Sequence, residues 1–255
     1  MILNYAQKAN GMFVLSRKQI EEIAGMFLRE YDPASLARPG AVDVEWLAEE
    51  CLYLSVEHKL LAHDDSILGL TVFEDVAGVP CLDEDFKSST VDLAAGTVLI
   101  HTWLKAWENY YRRRFTLAHE VAHWILHRSF HSPCNQKFQF RTGGRFPLSN
   151  AYVACRAAAI EGGSHELVTE YDWEEWQANS LAASILMPAD VFNLEATALF
   201  RQCGHNGLGS SSVRDHIWVV AELSSKFEVS KQAVEIRLGQ LGLNRRDSEF
   251  KSFRN

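Results

Sequence analysis

The stretch His119-Glu120-Val121-Ala122-His123 sets two imidazoles four residues apart, with a carboxylate beside the first. On a helix, residues four apart share a face, so both rings reach one ion. Neutral imidazole nitrogens are good zinc ligands. Zinc lowers the pKa of a bound water towards neutrality, and a carboxylate next to the first ligand can take its proton. The pattern is that of metal-assisted hydrolysis, with Zn2+ as cofactor and Glu120 as base. The competing reading is a core helix with incidental histidines. The flanks Phe115, Leu117, Ala118, Val121, Trp124, Ile125 and Leu126 predict a largely buried helix. Two histidines and a glutamate inside it would be costly without a metal, which favours the site.

A structural zinc site takes four protein ligands; a catalytic one takes three and keeps a position open. The third ligand must come from elsewhere in the chain. A metzincin would have glycine at 126 and histidine at 129, but Leu126 and Ser129 stand there, which excludes that class. A second helix is expected from about Asp172 to Met187, ended by Pro188. Glu175 and Asn179 lie four apart on it, with Trp176, Leu181, Ile185 and Leu186 to pack it on the core. Glu175 is the expected third ligand, and Asn179 the hydrogen-bond partner of a ligand histidine. Two alternatives stay open. Glu174 is the neighbouring carboxylate. The run Asp172-Trp173-Glu174-Glu175 also has capping-box spacing, which would turn Glu175 back onto the helix start.

These groups need a frame. Residues 17 to 31 carry Ile20, Ile23, Ala24, Phe27 and Leu28 on one helical stripe, and 43 to 52 suggest a short second helix. Strand-like segments follow at 52–56, 66–73, 76–82 and 97–102, parted by Asp64-Asp65, Ala77-Gly78 and Ala95-Gly96. They read as a small antiparallel sheet. Helical periodicity returns over 103–111 and 115–128. Residues 129–170 form an insertion whose pattern is irregular as far as 164. Beyond the 172–187 helix, 203–212 reads as a linker and 213–245 as two short amphipathic helices. Helices, then strands, then helices make an α+β chain. Its expected division is residues 1–200, carrying the chemistry, and a helical region 201–255.

Bulk properties narrow the classes. A chain of 255 residues can bury a sizeable core without staples. The net charge of −8 implies no general attraction to nucleic acid or to an anionic membrane. No run approaches the roughly 18 apolar residues of a membrane span. Residues 1–16 hold Asn4, Gln7, Lys8 and Asn10 in place of a signal-peptide core. Cys51, Cys81, Cys134, Cys155 and Cys203 are scattered and form no CxxC pair, so no disulfide framework is expected, and a cytoplasmic location is.

Three blocks together resemble a known family. RRRFTLAHEVAHWILH (112–127), EWQANSLAASILMP (175–188) and FEVSKQAVEIRLGQLGL (227–243) are similar, in order and character, to the ImmA/IrrE family of metallopeptidases. The likeness spans about residues 16 to 244. It implies a gluzincin-like, minimal thermolysin-related zincin fold, with His119, His123 and Glu175 as ligands and Glu120 as base. Asn179 takes the place of the Asp or Asn that often follows the ligand glutamate by four. Members typically cleave a helix-turn-helix repressor and so switch on phage, mobile-element or stress genes, which implies a zinc endopeptidase with such a repressor as partner. The chain departs from the pattern at Gln177, where many relatives carry a second glutamate; it is expected not to ligate. It departs again in the distance from His123 to Glu175, 52 positions further along the chain. Zinc peptidases of this architecture bind substrate as an extra strand on a sheet edge, expected here among residues 66 to 82.

Other side chains carry two readings each. His127, four residues beyond His123, is expected to have rotated off the His119 face into a capping or surface role. His101, Tyr110, Tyr111, His131 and His216 are candidates to stabilise an oxyanion, or are structural. A thiolate from Cys134 or Cys155 at the open position of zinc would latch the site; the plainer reading is small buried hydrophobes. Arg112-Arg113-Arg114 either grips an acidic substrate segment or is a solvated or packed face. Residues 220–243 resemble a helix-turn-helix with Ser230 as N-cap. From Lys226 to Asn255 seven basic and four acidic residues give +3, against −11 for the rest. The competing function is thus a DNA-binding regulator with a structural or sensory zinc. Glu120 argues against it, because a purely structural site gains nothing from a base.

Overall fold

The computed structural model describes residues 2–64, 66–131, 151–156, 169–205 and 213–243. Among them the chain is α+β, with seven α-helices and six strands. It divides into two compact units, Met1–Ile23 with Asp43–Ala182, and Ala24–Val42 with Ala183–Asn255. No helix of the described residues is long and apolar enough to cross a membrane.

Helix α1 (Arg17–Tyr31) buries Ile20, Ile23, Ala24, Phe27 and Leu28, the stripe read from the sequence. A capping box starts it: the Ser16 N–H donates to Gln19 Oε1 (2.8 Å) and the Gln19 N–H to Ser16 Oγ (3.3 Å). Asp43 caps α2 (Val44–Trp46), which continues as a π turn to Cys51. That turn and a left-handed Tyr53 (φ 55°) use up the start of the segment expected to be a strand, so β1 is Ser55–Lys59.

Strands β2 (Ile67–Val72), β3 (Val76–Leu82), β4 (Ser88–Leu93), β5 (Thr97–His101) and β6 (Tyr152–Arg156) make two sheets. One has four strands in the order β1-β5-β2-β6; the other is the β3–β4 hairpin. β1 runs parallel to β5, so the sheet is mixed and not the antiparallel one expected. Three strands intervene between β1 and β5 in the chain, enough for the crossover that parallel pairing needs. Ala77-Gly78, read as a turn, is a bulge inside β3, where the register shifts and Gly78 takes φ 71°. The hairpin turns instead at Asp83, whose Oδ1 accepts the N–H groups of Asp85 and Lys87, both at 2.9 Å.

Alternation gives the larger sheet two faces. Leu70, Val72 and Leu99 pack in one cluster with Leu61, Val79 and Leu93. The opposite face presents Gly69, Thr71, Val98 and Ile100 to α3 (Tyr110–His127). Helix α4 (Glu170–Leu186) is started by Thr169, whose N–H and hydroxyl both donate to Asp172 Oδ2 at 2.7 Å, while the Asp172 N–H returns to Thr169 Oγ1 at 3.1 Å. The capping box therefore lies one turn before the run that suggested it, and Glu175 is not spent on the helix start.

In the second unit, α5 (Ala189–His205) extends into the segment read as a linker; no helix was expected there. Helices α6 (Val213–Phe227) and α7 (Lys231–Gln240) are the two amphipathic helices expected. Ser230 caps α7, its Oγ accepting from the Ala233 N–H at 3.1 Å. Arg237 of α7 is buried, and its Nε and Nη2 donate to the Met187 carbonyl at 3.0 and 2.8 Å.

Candidate metal centre

His119 and His123 are fully buried on α3 among Leu117, Ala118, Val121, Ala122 and Leu126, and Glu175 is buried on α4. The two Nε2 atoms lie 2.9 Å apart. Glu175 Oε2 is 3.4 Å from the His119 Nε2, and Oε1 is 3.5 Å from the His123 Nε2. Ligand atoms about 2.1 Å from a tetrahedral ion stand about 3.4 Å from one another, so one ion fits among them. Both Glu175 oxygens are buried without a hydrogen-bond donor. A buried carboxylate left in that state is costly, and a cation removes the cost.

Hydrogen bonds decide where the ring protons are. Gln177 Nε2 donates to the Phe13 carbonyl (2.8 Å), which leaves its Oε1 to accept from His127 Nε2 (3.2 Å). His127 thus has its lone pair on Nδ1, which accepts from His123 Nδ1–H at 3.0 Å. That puts the His123 lone pair on Nε2. His119 Nδ1 donates to Asn179 Oδ1 at 3.0 Å, so its lone pair is also on Nε2. Two lone pairs and a carboxylate then converge on one point, where a metal ion, or a proton shared between the two Nε2 atoms, would be stabilised. Asn179 stands where it was expected. His127 does not take a capping or surface role: it is fully buried and orients His123. The rotation that carries it off the His119 face keeps it beside His123. The signal was the same spacing of four, applied once more. Gln177 is not among the ligand atoms, yet it anchors His127.

Glu120 faces the sheet. Thr71 Oγ1 donates to its Oε2 at 2.6 Å, and its buried Oε1 has no hydrogen-bond partner. Gly69 makes the room: a Cβ there would lie 2.9 Å from Glu120 Cδ and 3.0 Å from Cγ. Burial pushes the Glu120 carboxyl above its ordinary pKa, against the opposing pull of His119, His123 and Thr71. A carboxyl raised in this way is better matched to giving and taking protons near neutrality.

The surroundings favour positive charge. Burial alone would lower His123, but Glu174 and Glu175 carry it up to about 10, so its Nε2 lone pair takes up a proton wherever no metal ion claims it. Burial would raise Glu175, but His119 and His123 hold it down at about 2. Burial takes His127 down to about 3, in keeping with its neutral, relaying tautomer. At 3.4–3.8 Å the carboxylate contacts to His119 and His123 are too long for good hydrogen bonds.

Glu174 lies on the other side of the rings, 3.8 Å from Nδ1 of both His123 and His127, and 2.5 Å from His131 Nε2. His123, His127 and Glu174 also meet donor spacing for an ion. Their two Nδ1 atoms are already tied to each other and Glu174 to His131, so the Nε2 set with Glu175 has the lone pairs to offer. His131 also stacks on Phe73, with ring centroids 4.4 Å apart. The other oxyanion candidates have structural contacts. His101 Nδ1 accepts from the Trp103 N–H (3.3 Å), Tyr110 stacks on Trp107 and meets the Tyr111 ring, and His216 pairs with Glu235 in the second unit. The arginine run packs: Arg112 over Trp103, Arg113 and Arg114 over Tyr110, and Arg113 beside Glu45 at 3.6 Å. Cys155 is fully buried on β6, and its donor atom shares a sphere of 4.8 Å with those of His119 and Glu120. Cys134 lies outside the described residues.

No family model matches this chain, and no curated protein matches it.

Proposed function

We propose that the chain is a zinc endopeptidase of the ImmA/IrrE kind, on a minimal zincin frame, that cuts a peptide bond in a helix-turn-helix repressor. The observation that carries the proposal is the convergence of two imidazole lone pairs and the Glu175 carboxylate beside a second carboxylate, Glu120, that is not one of the three. Two imidazoles and one carboxylate are a donor set of catalytic zinc, three protein ligands with a position left over. When bound, the ion polarises a carbonyl and makes water more acidic.

The chain's own residues supply the proton traffic. Glu120 Oε1, with no competing donor, takes a proton from the attacking water. Thr71 holds Oε2, so the carboxyl cannot turn away. Glu120 then hands the proton to the leaving nitrogen, and the products are a carboxylate and an amine. Asn179, His127 and Gln177 keep both ligand rings in the tautomer that presents Nε2. The repressor as substrate is supported by the likeness of the blocks 112–127, 175–188 and 227–243 to the family. The DNA-binding alternative gains nothing from α7. Its cations are Lys231 and Arg237, and Arg237 is turned inward onto the Met187 carbonyl.

The test mixes the purified chain with the repressor encoded beside it, with and without a chelator, alongside Glu120→Gln. The expected result is cleavage that needs zinc and is lost in Glu120→Gln, while that variant still binds one zinc. Cleavage persisting in Glu120→Gln would defeat the mechanism. Salt-dependent DNA binding without any cleavage would favour the regulator instead.

A further inference from the structure

The hydrogen bonds that set the ring protons do not end on α4. They end on the Phe13 carbonyl, in a small hairpin of residues 6–14. The Val14 N–H donates to the Ala6 carbonyl and the Lys8 N–H to the Met12 carbonyl, both at 2.8 Å, and Gln7 and Phe13 form an antiparallel bridge. Gly11 turns the hairpin with φ 86°, in the left-handed region that favours glycine. Met12, Phe13 and Asn10 are buried. The hairpin is tied to both helices that carry the candidate ligands. Just beyond α3, Ser129 Oγ donates to the Gly11 carbonyl at 3.1 Å. On α4, Glu170 Oε1 accepts from Asn10 Nδ2 at 2.6 Å, and Gln177 Nε2 donates to the Phe13 carbonyl at 2.8 Å.

The contact with Phe13 fixes more than position. An amide side chain has a donor end and an acceptor end. With Nε2 held by Phe13, Gln177 offers His127 its oxygen, 3.2 Å away. Without Phe13 the amide can turn over and offer Nε2 instead. His127 Nε2 would then accept, and the His127 proton would sit on Nδ1, facing His123 Nδ1 at 3.0 Å. His123 would accept there and keep its own proton on Nε2, the atom the ion needs.

We propose that the hairpin of residues 6–14 is a positioning element of the metal centre: docked, it sets the Gln177 amide and through it the tautomer with which His123 binds an ion; undocked, it withdraws that tautomer. This rests on the metallopeptidase reading above and adds a control on its metal loading. Coupling between two such events is reciprocal. Docking that raises zinc affinity is itself tightened by zinc, by the same factor.

The test measures zinc affinity by competition with a chromophoric chelator, with circular dichroism to check the fold. Gly11→Val strains the turn and leaves the ligands and the relay side chains in place; it should weaken zinc about tenfold. In a Gln177→Leu chain the same change should cost almost nothing more, because the link it acts through is already cut. Hydrogen exchange needs no variant: the Lys8 and Val14 amides of the natural chain should exchange about tenfold more slowly when zinc is saturating. The proposal is overturned, and the peptidase reading left standing, by a folded Gly11→Val chain that binds zinc within about twofold of the natural one. A loss undiminished in the Gln177→Leu chain, or hairpin amides that exchange equally with and without zinc, does the same. Zinc bound as tightly by His119→Ala as by the natural chain would sink that reading itself.

Discussion

The relay from Phe13 through Gln177 and His127 to His123 makes a testable demand on metal affinity. His127→Phe keeps a ring of similar bulk in the buried position but removes the acceptor for His123 Nδ1–H, now 3.0 Å away. The His123 proton can then move to Nε2, where it opposes the metal. Loss of a partner that orients a ligand histidine costs about 10- to 100-fold in affinity, or about 1.4–2.7 kcal/mol. Gln177→Leu breaks the same series one link earlier, at the 3.2 Å contact, and should weaken zinc by a smaller factor within the same tenfold-to-hundredfold scale. Because the links act in series, His127→Phe with Gln177→Leu should be little worse than His127→Phe alone. Both variants also leave buried polar groups unsatisfied, at about 1–3 kcal/mol per group, so the melting temperature conflates two effects. The assay is therefore competition against a chromophoric chelator, with circular dichroism to check the fold. A folded His127→Phe chain that binds zinc within twofold of the natural one refutes the relay. So does a double variant whose loss equals the sum of the single losses.

Three further outcomes are expected. Gly69→Ala places a Cβ 2.9 Å from Glu120 Cδ and must move the base, so cleavage should fall about 100-fold while one zinc is still bound; unchanged turnover would contradict the tight seat of Glu120. Removing metal with EDTA, starting from free zinc near 1,000 times its Kd, should withdraw about 4 kcal/mol and lower the melting temperature by about 8–16 °C; an unmoved transition would mean that the folded chain binds no ion. Arg237→Leu leaves the Met187 carbonyl without its two guanidinium donors and should cost about 2–3 kcal/mol in urea unfolding, with zinc stoichiometry unaffected; a change below about 0.5 kcal/mol, the scale of ordinary surface substitutions, would show that this contact is idle.

Much of the centre was legible because its geometry is local. The pairing of His119 with His123, and of Glu175 with Asn179, follows from one helical turn, and the apolar stripes that bury α1 and α3 follow from the same periodicity. Local spacing could not choose between Glu174 and Glu175. Adjacent helical residues point about 100° apart, and which of them meets the Nε2 atoms depends on how α4 is set against α3. His127 was misassigned although its spacing was visible, because its partner Gln177 lies on another helix. The strands were the least legible. The β4 segment, Ser88 to Leu93, alternates exposed and partly buried side chains with serines and an aspartate, and reads as loop until the β3 hairpin pairs with it. β6 lies in a stretch with no strand signature, and the direction of β1 against β5 is written in neither segment. A helix satisfies its backbone with its own neighbours, so its pattern is carried in the chain. A strand satisfies its backbone with a partner far away in sequence, so its register and its direction exist only once the chain has folded.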